Sequence, residues 1–392
     1  MWTSREIWLR ALRLNDNMEI KISNEKKARS SNIEFLRIIA MLMIIASHYV
    51  SVGIMHTHFG EPYMNWAHGS FFNRLFTSFF TAGGDVGVGV FFIITGFFLC
   101  ESQKRRCING IVCPVIYYAI VGILLNSGLS MILGESISPV NILKLGVCPI
   151  TGYNWWFATS YIILILLSPV LNDVIHCFSS KRMLAMLVAL WVVWYCAGYA
   201  LQLNLWGIER GIFFYLVGAF FKFKITNNNK ISHIILIFIF ALSWTMYWGL
   251  TYYIGKSVGG LDVPLIMEKN SVVNIMKMTR AVVCAPICSI SLFGIFLRID
   301  MKNSKLINYI ASTTFGIYLI HEVPINRELI WERIFRCDYY YTTTKYVCLH
   351  LVLTVVCIFV IGFILDILRK KYFENKMNSI YFWLLADDNK NK

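Results

Sequence analysis

The sequence predicts an all-α protein that crosses a membrane about ten times, with both termini on the cytoplasmic side. Three observations carry this expectation. Of 392 residues, 57% are hydrophobic and only 15% charged, whereas a soluble chain carries about a quarter charged residues. Apolar runs of about 20 residues recur along the chain, each long enough to cross a hydrocarbon core about 30 Å thick. Lysine and arginine gather in alternate short loops, the pattern that sets the orientation of membrane proteins.

The expected spans are 33–53, 86–100, 108–128, 155–176, 184–201, 208–221, 231–254, 280–297, 306–321 and 346–368. The second and sixth are short for a full crossing, so they have room to extend into their flanking loops. With the N-terminus inside, the connecting inner loops are 101–107, 177–183, 222–230 and 298–305. They hold 11 Lys/Arg in 31 residues, against 9 in the 113 residues of the outer segments. Both tails are basic as well, with KKAR at 26–29 and RKK at 369–371. The net charge of +14 therefore reads as topogenic and not as a nucleic-acid footprint.

Three regions follow: a basic cytoplasmic segment 1–31, a membrane domain 32–368 and a cytoplasmic tail 369–392. No cleavable signal peptide is expected, because the first apolar run is too long and has no cleavage site. The opening WTSREIWLRALRL reads either as an interfacial amphipathic helix or as sequence upstream of a true start at Met18. The eleven cysteines lie mainly in apolar segments without a CxxC pair. They read as small hydrophobes, with no structural disulfide or metal site.

The first span, FLRIIAMLMIIASHYV, carries Arg37 and His48. Eleven residues turn a helix by about 1100°, three turns plus about 20°, so both side chains leave nearly the same face, about 16 Å apart along the axis. Arg37 at the inner end is also what snorkelling and topogenic charge produce. His48, deep in the outer half, is a functional candidate by default, since ionisable groups at that depth are costly.

The second span, GGDVGVGVFFIITGFF, has glycines at 83, 84, 87, 89 and 96. These permit close approach of another helix or of a slender ligand. Asp85 stands at its outer mouth, as a partner for His48 or for a substrate. Lys104, Arg105 and Arg106 follow on the inner side, able to bind phosphate groups or simply to orient the chain. Further on, NWWFATSYIILILLSPVLN places aromatics at an interface, and STTFGIYLIHEVPINRELIW puts Tyr318 and His321 on one helix face, with Glu322 and Arg327 beyond. His56, His58 and His68 match no trusted metal-ligand spacing.

Taken together in this order, the four stretches resemble the membrane-bound acyltransferase 3 family, over about residues 32 to 368. NIEFLRIIAMLMIIASHYV resembles the family's first span, GVGVFFIITGFFL its glycine-rich span, WWFATSYIILILLSPVLN its aromatic-then-Ser-Pro span and STTFGIYLIH its late span ending in histidine. The resemblance implies a stand-alone O-acyltransferase of a bacterial cytoplasmic membrane. It would move an acyl group, most simply acetyl, from cytoplasmic acyl-CoA to a hydroxyl of a surface polysaccharide or its lipid-linked precursor.

By the same resemblance His48 is the residue essential for transfer, and Arg37, Lys104, Arg105 and Arg106 bind the donor's phosphates. Asp85 and His321 are the further catalytic candidates. Arg106 lies eight residues before Pro114, which departs from the family's usual spacing. No permanently bound cofactor and no metal is expected; acyl-CoA, the glycan acceptor and membrane lipids are the partners. His48 suits general-base chemistry or transient acylation equally well, with Thr95 as a candidate oxyanion donor. The alternative is a flippase or transporter of a lipid-linked saccharide, which predicts internal repeat symmetry that the chain lacks.

Overall fold

The structure is a computed structural model; it describes residues 30–54, 57–58, 61–62, 65–101, 109–134, 138–147, 149, 155–193, 207–225, 232–258 and 271–374. Lys104, Arg105, Arg106, His56, the opening segment and most of the C-terminal tail lie outside the described residues. The architecture is all-helical, apart from a two-residue antiparallel ladder pairing Thr57–His58 with Glu61–Pro62.

Seven of the described helical stretches are long and apolar enough to cross a membrane. They are α1 (Ser31–Ser51), the joined pair α2 (Phe71–Phe80) and α3 (Ala82–Leu99), and α4 (Asn109–Leu133), followed after a short helix α5 (Pro139–Val147) by α6 (Trp156–Cys177). After α7 (Ser180–Leu190) and α8 (Ile208–Phe220) come α9 (His233–Val258) and the joined pair α10 (Ser271–Met278) and α11 (Ala285–Leu297). The chain ends with α12 (Lys305–Ala311), α13 (Thr314–His321), α14 (Cys337–Thr343) and the long α15 (Val347–Leu368). The chain is thus a multi-pass membrane protein.

The expected second span at 86–100 begins earlier than the sequence suggested. Ser70 caps α2, its Oγ accepting from the Asn73 amide at 3.1 Å, and α3 starts after a one-residue break at Thr81. The stretch expected at 208–221 is α8, continued as a π-helix to Ile225, and that expected at 306–321 is the broken pair α12–α13; of 184–201, residues 184–193 are helical and the rest lies outside the described residues.

Helix α3 is central, packed between α1, α8 and α11. Its glycines explain how. A Cβ on Gly96 would lie 1.9 Å from the Tyr215 carbonyl oxygen of α8, and one on Gly218 of α8 would lie 2.1 Å from the Ile93 carbonyl of α3. The two backbones touch, as small residues allow when no hydrophobic effect drives helices together in lipid. Gly83 meets the Met43 carbonyl of α1 in the same way, at 2.3 Å. The outer helices differ: α9 buries only 28% of its apolar window and α15 33%, against 78% for α2–α3. Their uncovered residues, such as Phe238 and Leu353, are apolar and form lipid-facing surface.

The break at Ser312–Thr313 lets α13 tilt independently of α12, and a buried polar cluster fixes its start. Asp366 of α15 accepts from the Tyr118 hydroxyl at 3.0 Å and from Arg369 Nε at 2.7 Å. Lys370 Nζ donates to the Ser312 carbonyl at 2.8 Å. Gly316 lies directly against the Asp366 carboxylate, so the first turn of α13 is held on α15 while its last turn carries His321 to α1.

Candidate functional site

His48 sits in the last turn of α1, and His321 is the last residue of α13. Trp155 Nε1 donates to the Leu319 carbonyl at 3.2 Å, which sets the height of α13 beside α6. Pro324 follows and cannot continue a helix. The chain therefore turns at 324–326, and Arg327 comes back onto Glu322.

The result is a buried relay. His321 Nδ1 lies 2.6 Å from the Ile317 carbonyl oxygen. A carbonyl only accepts, so Nδ1 carries the proton, and Nε2 of a neutral ring must accept. That nitrogen is 3.0 Å from His48 Nδ1, which is also 3.1 Å from Glu322 Oε1. Both neighbours are acceptors, so His48 Nδ1 carries its proton. In the neutral ring the lone pair is then on Nε2, at the opposite edge. Glu322 Oε2 is paired with the Arg327 guanidinium. His321 and Glu322 are each 1% exposed, whereas the His48 side chain keeps 20%. Of His48, His321 and Glu322, only His48 lines the adjoining cavity.

This cavity, of about 290 Å³, is lined by His48 together with Ser47, Asp85, Trp156, Tyr247, Arg280 and Tyr318. Asp85 comes from the first turn of α3. Its Oδ1 accepts from Arg210 of α8 at 3.2 Å and its Oδ2 from the Tyr247 hydroxyl of α9 at 3.0 Å. Arg280 lies over the Tyr247 ring at 5.5 Å.

The expected site residues therefore separate. His48 and His321 come together, and Asp85 reaches the same cavity. No Asp85–His48 contact is found among the described residues; Asp85 accepts from Arg210 and Tyr247, and Glu322 Oε1 lies beside the imidazole. Thr95 is not an oxyanion donor to this cavity, because its hydroxyl donates to the Phe91 carbonyl of its own helix at 2.8 Å. Arg37 lies at the other end of α1, where its Nη1 pairs with Glu34 Oε2 at 3.0 Å. Between α1 and α3 the Met43 and Ala40 carbonyls lie directly beside Gly83 and Gly87, so these glycines serve helix contact.

Sequence reasoning had placed Glu322 and Arg327 only at a surface. The signal available was the adjacent pair His321-Glu322 just before a proline, with an arginine five residues on. Arg210, Tyr247 and Arg280 gave no sequence signal, because each is a common residue at the end of an apolar helix, and Trp156 was legible only as one of the interfacial aromatics of NWWF.

The donor atoms of His48, His321 and Glu322 lie within 4.8 Å of one another, a grouping able to hold a metal ion. Two features account for it without one. The His48–His321 separation of 3.0 Å is that of a hydrogen bond, and Arg327 already supplies the positive charge that Glu322 needs.

A family profile described as an acyltransferase domain matches residues 30–365, nearly the whole chain. Neither the curated proteins nor the solved structures compared with the chain match it. The match over 30–365 shows that the chain belongs to the acyltransferase 3 family.

Proposed function

Starting from that membership, we propose that the protein is an O-acyltransferase using His48 Nε2 as general base. The donor is a cytoplasmic acyl-CoA, most simply acetyl-CoA, and the acceptor is a hydroxyl of a surface polysaccharide or its lipid-linked precursor. The chain lies N-in and C-in in a bacterial cytoplasmic membrane, with Arg37, Lys104, Arg105 and Arg106 meeting the donor's phosphates. The observation that carries this reading is the relay just described: His48 presents Nε2 to the cavity while Glu322 and His321 hold Nδ1 from behind.

In the reaction the acceptor hydroxyl attacks the thioester carbonyl as His48 Nε2 takes its proton. The resulting imidazolium is stabilised by Glu322, 3.1 Å from Nδ1, so charge develops next to a fixed opposite charge. The tetrahedral adduct collapses, the C–S bond breaks, and the thiolate leaves with the proton returned from His48. Arg327 keeps Glu322 ionised and in place throughout. His321 touches neither reactant; it is a positioning residue, fixing the tautomer and tilt of His48. Asp85 acts on the acceptor side, through the cavity it shares with His48.

The test is transfer of radiolabel from acetyl-CoA to isolated surface glycan of the producing cells, with membranes carrying wild type or His48→Ala at matched expression. Label with wild type that vanishes in the variant supports the reading. Equal label in both removes His48 from the chemistry. If no label appears with either acetyl- or succinyl-CoA, the enzyme reading gives way to the flippase.

A further inference from the structure

We infer that Asp85 is the acceptor-recognition residue, and that it selects a sugar presenting two neighbouring hydroxyls by receiving a hydrogen bond from each. The inference rests on the acyltransferase reading, which it deepens by naming the feature of the acceptor that the cavity reads.

A carboxylate offers about four lone-pair directions, two on each oxygen. At Asp85, Arg210 Nη1 takes one on Oδ1 at 3.2 Å and the Tyr247 hydroxyl takes one on Oδ2 at 3.0 Å. One direction remains on each oxygen. The side chain keeps 30% of its exposure and lines the same cavity as His48. Three helices thus hold a carboxylate that still faces the cavity, and a ligand complementary to its two oxygens carries a pair of donors on adjacent atoms. Vicinal hydroxyls of a pyranose have that form.

The rest of the wall agrees. Trp156, Tyr247 and Tyr318 contribute aromatic rings, suited to the C–H faces of a sugar, while Ile44 and Val88 are apolar. A space of about 290 Å³ has room for a sugar residue beside Asp85 and His48. Arg210, 3.2 Å from Oδ1, sets the angle of the Asp85 carboxylate and has no need to touch the sugar.

A purely structural role for Asp85, as an ion pair tying α3 to α8, predicts a different outcome, so the two are separable. The full chain is reconstituted in nanodiscs and titrated, without acyl-CoA, with the methyl pyranosides of glucose, galactose and mannose and with their monodeoxy derivatives. Tryptophan fluorescence gives the affinity. The expected result is that at least one parent glycoside binds. Removing either of two adjacent hydroxyls weakens it about tenfold or more, the scale of hydrogen bonds to a charged group. Asp85→Asn weakens the parent by a similar factor and abolishes the discrimination against the deoxy sugars.

If no parent glycoside binds wild type, or if Asp85→Asn still discriminates as wild type does, the inference is overturned. The double variant Asp85→Asn/Arg210→Gln removes both charges and guards against misfolding. It must keep the wild-type unfolding temperature within a few degrees and still lose discrimination. Because no acyl donor is present, the result does not depend on whether transfer occurs. An active His48-dependent enzyme that ignores the diol sinks this inference alone.

Discussion

His48 Nδ1 lies 3.1 Å from Glu322 Oε1, joining residues 274 positions apart in the chain. The contact is the meeting of two helix ends, the last turn of α1 and the turn after α13. It fixes which nitrogen of the base faces the cavity. Glu322→Gln keeps the shape of the side chain and removes its charge. The expected outcome is a fall in kcat of about ten- to a hundredfold, since the imidazolium formed on proton uptake loses the carboxylate charge 3.1 Å from Nδ1, each tenfold being about 1.4 kcal/mol. KM for acyl-CoA should be unchanged, because Glu322 is buried away from any ligand. Steady-state kinetics on reconstituted protein decides it, and a selective rise in KM would move Glu322 to donor binding.

Arg327 should behave differently. Its guanidinium balances Glu322 (1% exposed), and removing one partner of a buried ion pair leaves the other uncompensated, at a cost of about 3–5 kcal/mol. Because the Arg327 side chain is 39% exposed, solvent will screen part of this. Arg327→Gln is therefore expected to lower thermal stability measurably as well as kcat, whereas Arg327→Lys should recover most of the stability. Unfolding followed by tryptophan fluorescence in detergent would show this. An unchanged midpoint in Arg327→Gln would mean the pair contributes nothing to the fold.

Much of this arrangement was legible in the sequence, and the illegible part has a physical reason. The apolar runs, the glycine-rich central helix and the pair His48 and His321 were all visible, because lipid demands helices and penalises stray imidazoles. Gly96 could be read as a contact point, but which helix it met could not. The protein partners of Asp85 were illegible for the same reason: a carboxylate at a helix start chooses among arginines from other helices, and nothing local to GGDVGVGV encodes Arg210 on α8. The break at Ser312–Thr313 was hidden too, since STTFG keeps an unbroken polar-to-apolar gradient while the packing of Gly316 on Asp366 bends the chain.

Acidification should abolish transfer. The base works only while Nε2 holds a lone pair, and a protonated imidazole has none. Below the pH at which His48 protonates in the free enzyme, kcat/KM is expected to fall tenfold per unit. The fall should reverse on returning to neutral pH. A profile that shows no such fall at any pH at which the protein stays folded would be incompatible with a histidine base.

Chelators should leave transfer intact. The donor atoms of His48, His321 and Glu322 are close enough to ligate a cation, yet Arg327 occupies the charge-balancing position beside Glu322. Prolonged dialysis against EDTA, with metal content measured before and after, is expected to change kcat by less than twofold. Loss of activity that added zinc restores would replace the hydrogen-bonded relay with a metal centre and give His48 a ligand's role.

The packing of α3 on α8 yields the most direct test of the fold. A methyl group on Gly96 would sit 1.9 Å from the Tyr215 carbonyl oxygen, and that oxygen belongs to backbone, which cannot rotate away. The helices must separate, and overpacking of this kind costs about 1–3 kcal/mol. Gly249 on α9 offers a control, since a Cβ there meets nothing within 4 Å. Gly96→Ala is thus expected to lower the unfolding midpoint in nanodiscs, and Gly249→Ala to leave it unchanged or raise it slightly through the better helix propensity of alanine. The activities should diverge as well. Moving α8 away from α3 carries Arg210 with it and loosens Asp85, while His48, held on α1 by α13, keeps its relay. Gly96→Ala should therefore raise KM for the acceptor more than it lowers kcat. Equal stability in the two alanine variants would show that α3 and α8 do not touch at Gly96, and with that the placement of Arg210 on Asp85 would fall.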